Sequence, residues 1–476
     1  MFLRLNAITF SVISIATTFV LGVLVEAFSS EDAMYVIWPV LACCCTLLIF
    51  SYALWRRIRT SIFGEIGFIY LGLAMAYSVL PAVTVIVANF IIPIGIDGSS
   101  PLILYPKPAV VGAHFWRHAL FISGVAVGYL LARGRGAQTS FSTEISTQSN
   151  GDVIAIIFLL LVMAIIVVTS LSAPVATYYE HYTRYNNLSA LLLKLVQFSL
   201  IIKSGSYFVL LALMFSRYEK YKWYIFFIVA VLCTFEIVYS FGSRIEALTI
   251  LVAFAGFYHY KAKILSLKNG LMYLLLLASI FSAVELVRSA QLNNQTVESM
   301  VADEGIKSAS EFGAVFNTGF HLYTERQNGS LPPREWPMFI YELISIIPFV
   351  DHTEYHPQYW YARYYFPSSI VPPQTMGVIS DSAIWGGEID LLLRSLVNGA
   401  IFAFLTRWFI RRKEKWWAIA IYMYMYATSI MTLKYSVLYQ LPMVIKILLP
   451  VLLVTGMLFR LKKSFLKDKR TRIPMK

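Results

Sequence analysis

Apolar windows of about 20 residues recur along this chain, each long enough to cross about 30 Å of hydrocarbon as a helix. They predict twelve spans: 5–28, 34–55, 62–91, 113–132, 152–172, 191–216, 221–241, 244–260, 269–288, 379–406, 416–434 and 438–460. Turn-forming or basic stretches separate most of them. One interruption is long, residues 289–378, and within it the pattern predicts helices over 309–325 and 334–347. The second follows Pro332-Pro333, as helices often do. The stretch HPQYWYARYYFPSSIVPPQTMG reads as too rich in proline and aromatics for a long helix. The pattern therefore predicts an all-α polytopic membrane protein of about 12 transmembrane helices. Nine lie in 1–288 and three in 379–460, with a large helical loop over 289–378 and a basic tail over 461–476.

Composition agrees. Of 476 residues, 58% are hydrophobic and 14% charged, whereas a soluble protein carries roughly a quarter charged residues. A β-barrel would show alternating segments of about 10 residues instead. The first apolar run is too long for the core of a cleavable leader.

The net charge of +13 changes meaning once it is mapped on the spans. The loops and tail on one side carry 25 of the 39 Lys and Arg and six of the 26 acidic residues. By the positive-inside rule that side is the cytoplasm, and both termini lie there. The basicity is an orientation signal with an attraction to anionic lipid headgroups, and it gives no argument for nucleic acid. Residues 134–152 read as a disordered cytoplasmic linker. Cys43, Cys44, Cys45 and Cys233 all sit inside apolar runs, where they read as packing residues.

Charges at the ends of spans are the candidates for chemistry. In YSFGSRIEAL, Gly242-Ser243-Arg244 falls at the outer face between two spans. An arginine there costs about 2–3 kcal/mol unless paired or hydrated. It either pairs with Glu246 or a headgroup, or it meets a phosphate together with backbone N–H groups of the tight turn. Glu285 and Arg288 are three apart, on one helical face, at the end of the ninth span. Asp381, Glu388, Asp390 and Arg394 enter the tenth span; Asp381 and Glu388 share a face, and Asp390 with Arg394 has the spacing of an ion pair. Such a group suits a hydrated cavity at the outer face better than contact with lipid. Arginines and carboxylates meeting there suit a lipid-linked diphosphate and the deprotonation of a sugar hydroxyl.

The long loop adds His321, Arg326, Arg334 and Arg363, and aromatic residues that include Tyr359 and Trp360. Aromatic faces there serve either an interfacial belt or stacking on sugar rings. His114 with His118, and His352 with His356, are four apart, without a third ligand at a metal-site spacing, so no metal site is assigned. Lys203 and Glu236 have the placement of an internal ion pair between neighbouring helices; Lys434 and Lys446 lie in or near the last two spans.

FGSRIEAL at a junction of spans resembles the glycine-serine-arginine signature of bacterial oligosaccharide repeat unit polymerases, the O-antigen and capsule polymerases. EFGAVFNTGFHLYTERQNGSLPP, the Pro-rich loop, and GVISDSAIWGGEIDLLLRSLVNGAIFAF leading into a span resemble the same family; the likeness covers residues 235–410. It implies a glycosyltransferase with a C-type membrane fold in the bacterial inner membrane. Its substrate would be undecaprenyl diphosphate carrying an oligosaccharide repeat, with the growing chain moved onto the next unit at the periplasmic face. No nucleotide sugar or other cofactor is implied. On this likeness Arg244 and Arg288 hold the diphosphate, Arg326 is a third contact, Asp381 or Glu388 is the general base and His321 a further polar contact. Arg363, Tyr359 and Trp360 would meet the glycan. Partners would be membrane lipid, a chain-length regulator and a flippase. Glu31-Asp32 resembles the acidic pair with which some membrane glycosyltransferases hold a metal, but the loop is short and exposed. The rival readings are an O-antigen ligase-type transferase and a lipid-linked oligosaccharide flippase or transporter, which would favour charges near the midplane and paired halves.

Overall fold

A computed structural model of the chain describes residues 31–58, 62–86, 108–134, 157, 161, 164–165, 190–239, 244–261, 311–347, 353–366, 376–435 and 438–471. Among them helices dominate and no strand occurs. In chain order these are α1 (Glu31–Ile58), α2 (Ile66–Ile86), α3 (Pro108–Arg133), α4 (Ala190–Ser216), α5 (Tyr218–Tyr239) and α6 (Arg244–Lys261). Next come α7 (Glu311–Asn328), α8 (Trp336–Phe339), α9 (Tyr341–Ile344), α10 (Pro357–Tyr365), α11 (Val378–Ile384) and α12 (Gly387–Ile410). The last are α13 (Trp416–Thr428), α14 (Met431–Lys434), α15 (Gln440–Met443), a π turn over Val444–Leu448, and α16 (Leu449–Thr471).

Four stretches among the described residues are long and apolar enough to cross a membrane: Tyr35–Ile58, Val110–Arg133, Gly387–Ile410 and Gln440–Arg460. Shorter apolar helices run over Ile66–Ala82, Ile202–Ser216 and Ala247–Tyr258. The expected spans 5–28 and 269–288 lie outside the described residues, as do most of 152–172.

Three local outcomes differ from the sequence pattern. The expected span 379–406 is two helices, broken at Trp385-Gly386. The expected helix 334–347 is two single turns. PQYWYARYY is helical, because Pro357 sits in the first turn and the His356 ring nitrogen caps it, accepting from Gln358 N–H at 3.1 Å. Burial lowers the pKa of that imidazole to about 4, which keeps it a neutral acceptor.

The chain divides into two compact units. One comprises Met1–Thr139, Ala309–Ile410 and Ser429–Leu441; the other comprises Ser140–Ser308, Arg411–Thr428 and Pro442–Lys476.

In the first unit α3 and α12 run side by side, and small residues set their distance. A β-carbon on Gly128 would strike the Leu396 carbonyl oxygen; one on Gly399 would strike that of Val125; Gly124 leaves room for Ser395. This is the close backbone approach by which membrane helices associate, since lipid offers no hydrophobic drive between them. The two helices are parallel: Arg407 Nη1 donates to the Ala132 carbonyl at 3.0 Å at one end. At the other end Arg117 meets Ser382 and Glu388. α1 is parallel to them, with Thr46 against Ser123 and Arg57 donating to the Leu130 carbonyl. The basic C-terminal ends of the three helices thus gather at one end of this unit. α2 runs the opposite way, with Ser78 meeting His118. Arg133 is not a free loop charge: its guanidinium is bidentate to Glu65, both bonds 2.8 Å, and both side chains are buried.

In the second unit Lys203 and Glu236 form the internal ion pair, Nζ to Oε1 2.7 Å, joining α4 to α5. Tyr207 donates a further bond of 2.6 Å to the same carboxylate. Gly205 lets α4 reach the Ile447 carbonyl in the π turn, and Gly256 on α6 accommodates the Tyr426 ring of α13.

Gly128→Ala should lower the unfolding midpoint in detergent by the equivalent of about 1–3 kcal/mol, because overpacking against backbone is hard to relieve. Gly72→Ala, in α2 with nothing within 4 Å of an added β-carbon, should leave it unchanged or raised. Equal effects of the two would show that the α3–α12 contact is not the constraint.

Candidate functional site

The break between α11 and α12 organises the chemistry of the first unit. Gly387 has φ +65°, a left-handed conformation that a side chain disfavours. A β-carbon there would also come within 3.3 Å of Arg326 Nε. Ending α11 after seven residues leaves its last carbonyls without helical partners. Two arginines take them. Arg326 Nη1 donates to the carbonyls of Ala383 at 2.9 Å and Trp385 at 3.1 Å, and Arg334 donates to that of Ile384. Positive charge at a helix C-terminus is also favoured by the helix dipole.

Arg326 is placed by α7, whose end is fixed by a Schellman turn. Ser330 N–H bonds to the Glu325 carbonyl, Gly329 N–H to that of Arg326, and Gly329 has φ +71°. α7 also supplies Tyr323. The Arg117 guanidinium lies over that ring, 4.9 Å from its centroid.

Arg117 is the functional candidate that the sequence pattern did not single out. It is a lone charge in the apolar run HFWRH, and only 2% of its surface is exposed. Nη2 donates to Ser382 Oγ at 2.7 Å and to the Ile379 carbonyl at 3.2 Å. Among the described residues Nε and Nη1 have no hydrogen-bond partner; Nε faces Glu388 Oε1 across 3.9 Å. A buried guanidinium with two unmade bonds is costly, by about 1–3 kcal/mol for each orphaned donor.

The carboxylates divide into two kinds. Asp381 is buried and paired with Arg394 Nη1, whose Nε holds Asp390 at 2.8 Å. Glu388 is 56% exposed, and its one ion pair among the described residues is the long contact with Arg117. Of the two acids expected as a base, Asp381 is thus held in an ion pair and Glu388 is exposed. Arg394 also lies over Phe339, 5.3 Å from its centroid, and Trp385 stacks on Trp336. Four guanidinium groups and three carboxylates, from α3, α7, the α7–α8 turn, α11 and α12, therefore meet at one helix break.

The other expected site residues are placed elsewhere in the first unit, in the second unit, or outside the described residues. His321 sits five positions before Arg326, about 140° around α7. Its Nδ1 pairs with Tyr361 Oη at 2.9 Å and its ring packs edge-on to Tyr365. Burial lowers the pKa of His321, with Glu325 pulling the other way. Arg363 is exposed on α10 and reaches the Glu354 carbonyl at 3.4 Å. Tyr359 is exposed, with its ring edge-on to His356. Trp360 is part of the core, its indole N–H bonded to the Pro333 carbonyl at 2.9 Å, so its ring is not offered for stacking. Arg244 is the first residue of α6, in the second unit, and its side chain lies outside the described residues, as does all of Arg288.

Also on α3, three residues before Arg117 and one after it, His114 and His118 line a space of about 20 Å³ with Tyr77, Gly319 and Val378, room for roughly one water. Among the described residues no group of three or more His, Cys, Asp or Glu is placed to hold a metal.

No protein-family model, curated protein or solved structure matches this chain.

Arg394→Met should destabilise the protein by about 3–5 kcal/mol, because it leaves the buried Asp381 carboxylate unpaired. The double change Arg394→Met with Asp381→Leu should recover most of the loss, read as the unfolding midpoint in detergent. A harmless single variant would mean that Asp381 is not held by this pair.

Proposed function

We propose that the protein is a membrane glycosyltransferase acting on lipid-linked glycan. More specifically, it polymerises undecaprenyl-diphosphate-linked oligosaccharide repeat units into a surface polysaccharide, O-antigen or capsule, at the periplasmic face of the bacterial inner membrane. The observation that carries this reading is the convergence of guanidinium groups with one exposed carboxylate at the α11–α12 break. That break lies at the far end of α3 and α12 from their basic ends.

On the twelve-span reading the basic ends of α1, α3 and α12 lie in the cytoplasm and the break opens to the periplasm. From Arg117 to Arg133 is sixteen residues, about 24 Å of helix, most of a bilayer core. The diphosphate of a lipid-linked donor would sit against arginines at this boundary, where charge developing on the leaving lipid diphosphate is stabilised most strongly. Arg326 is the diphosphate ligand of the first unit in this reading. The Glu388 carboxylate takes the proton of an acceptor sugar hydroxyl, and the oxygen attacks the anomeric carbon as the bond to diphosphate breaks. Asp381, locked to Arg394, orients that arginine. Tyr359, Arg363 and His321 line the path of the glycan. A flippase would supply the units and a chain-length regulator would set when the product leaves.

The Lys203–Glu236 pair inside the spans favours a second reading, transport of the lipid-linked unit, because ionisable residues within a membrane commonly mark translocation paths. Its bonds are complete within the helices, as a scaffold pair's would be.

Glu388→Gln should cut polymer synthesis by about 10²–10⁴-fold, the usual worth of a general base. Arg244→Ala should leave single repeat units without long chains. Both are read by gel electrophoresis of cell-surface glycan at equal protein levels. Unchanged chain length in both variants would remove the assignment. Loss of lipid-linked units from the outer leaflet, with polymerisation of supplied units intact, would favour the transport reading.

A further inference from the structure

We infer that the segment Trp336–Ile347, expected to be part of the large periplasmic loop over 289–378, lies in the membrane interface with its outer side against the lipid bilayer. Its side chains divide sharply. Met338 and Ser345 are buried, and Met338 packs on Leu322, Trp360 and Ile384. Trp336, Phe339, Ile340, Leu343 and Ile347 point outward, between 44% and 75% exposed. Their spacing of three to four makes one continuous apolar side along α8 and α9. An apolar side of this kind on a protein surface marks a contact with a partner or a membrane.

Position identifies the occupant. Phe339 packs beside the guanidinium of Arg394, seven residues into α12 and so about 10 Å along that helix from its start. The side of α12 turned away from α3 carries Ile389, Leu393, Val397 and Phe404, each at least half exposed. On a helix long and apolar enough to span, that stripe faces lipid. Through Trp385, which contacts both Trp336 and Phe339, the outer side of α8 and α9 continues the stripe. Arg334 lies over the Trp385 ring at 5.8 Å. Tryptophan and arginine side by side at the end of a span is the chemistry of the headgroup level. Hydrocarbon meeting headgroups therefore fits this side at both its edges. The inference rests on the membrane placement of α12 alone and stands apart from the enzymatic reading.

The test places nitroxide labels at Phe339→Cys and Leu343→Cys in full-length protein in lipid nanodiscs, with the four native cysteines replaced by alanine. Ser330→Cys serves as the aqueous reference and Leu393→Cys as the lipid reference. Power-saturation spectroscopy with oxygen and with a water-soluble nickel chelate should show positions 339 and 343 favouring oxygen, as 393 does, and 330 favouring nickel. Nickel-dominant access at 339 and 343 would overturn the inference in favour of water. Low access to both reagents would overturn it in favour of a protein partner or a second copy. The cysteine-retaining protein gives an independent reading. Brominated lipid should quench wild-type emission more than that of Trp336→Phe, and equal quenching would count against bilayer contact.

Discussion

The contact of α3 with α12, backbone against backbone, fixes everything else in the first unit. Gly128 and Gly399 bring the two backbones into direct contact, so the axes and register of the helices are set together. With that register Arg117 is delivered to Ser382 and Glu388 at one end, and Arg407 to the Ala132 carbonyl at the other. A helix pair held by van der Waals contact and carbonyl bonds suits a lipid setting, where apolar burial between helices contributes little. The charged groups can then sit at the ends, where water is close.

The α11–α12 break is the second constraint. It leaves carbonyls at the end of α11 without helical partners, and Arg326 and Arg334 satisfy them. Arg326 thereby becomes a fixed positive charge within electrostatic reach of Arg117. Structural need and anion-binding capacity coincide here: a guanidinium held by carbonyls on one edge keeps other N–H groups for a ligand. The unmade bonds of Arg117 extend that capacity inward.

Much of this was legible in the sequence, for identifiable reasons. Apolar runs gave the helices because their length is dictated by the bilayer. The Asp390–Arg394 and Lys203–Glu236 pairs followed from helical spacing and from the cost of unpaired charge in a span. α7 followed from its periodicity, to within a few residues. What could not be read is what packing decides. Asp381 and Glu388 look equivalent along the chain, and only the break after Trp385 buries one and exposes the other. Arg117 looks like one stray charge until α7 brings Tyr323 over it. Trp360 looks like a sugar platform until Pro333 claims its indole N–H. The helix over Pro357–Tyr365 was hidden by its own proline, which a His356 cap turns into a helix start.

The proposed chemistry requires the arginine–carboxylate cluster to be wet and open on the side opposite the basic helix ends. Labelling of Glu388→Cys with a membrane-impermeant maleimide, in a cysteine-free background, tests this most directly. The account predicts rapid modification from outside in intact cells with a permeable outer layer, while Arg407→Cys reacts only after the inner membrane is opened. Protection of position 388 from both sides, or its modification only from the cytoplasm, would contradict it.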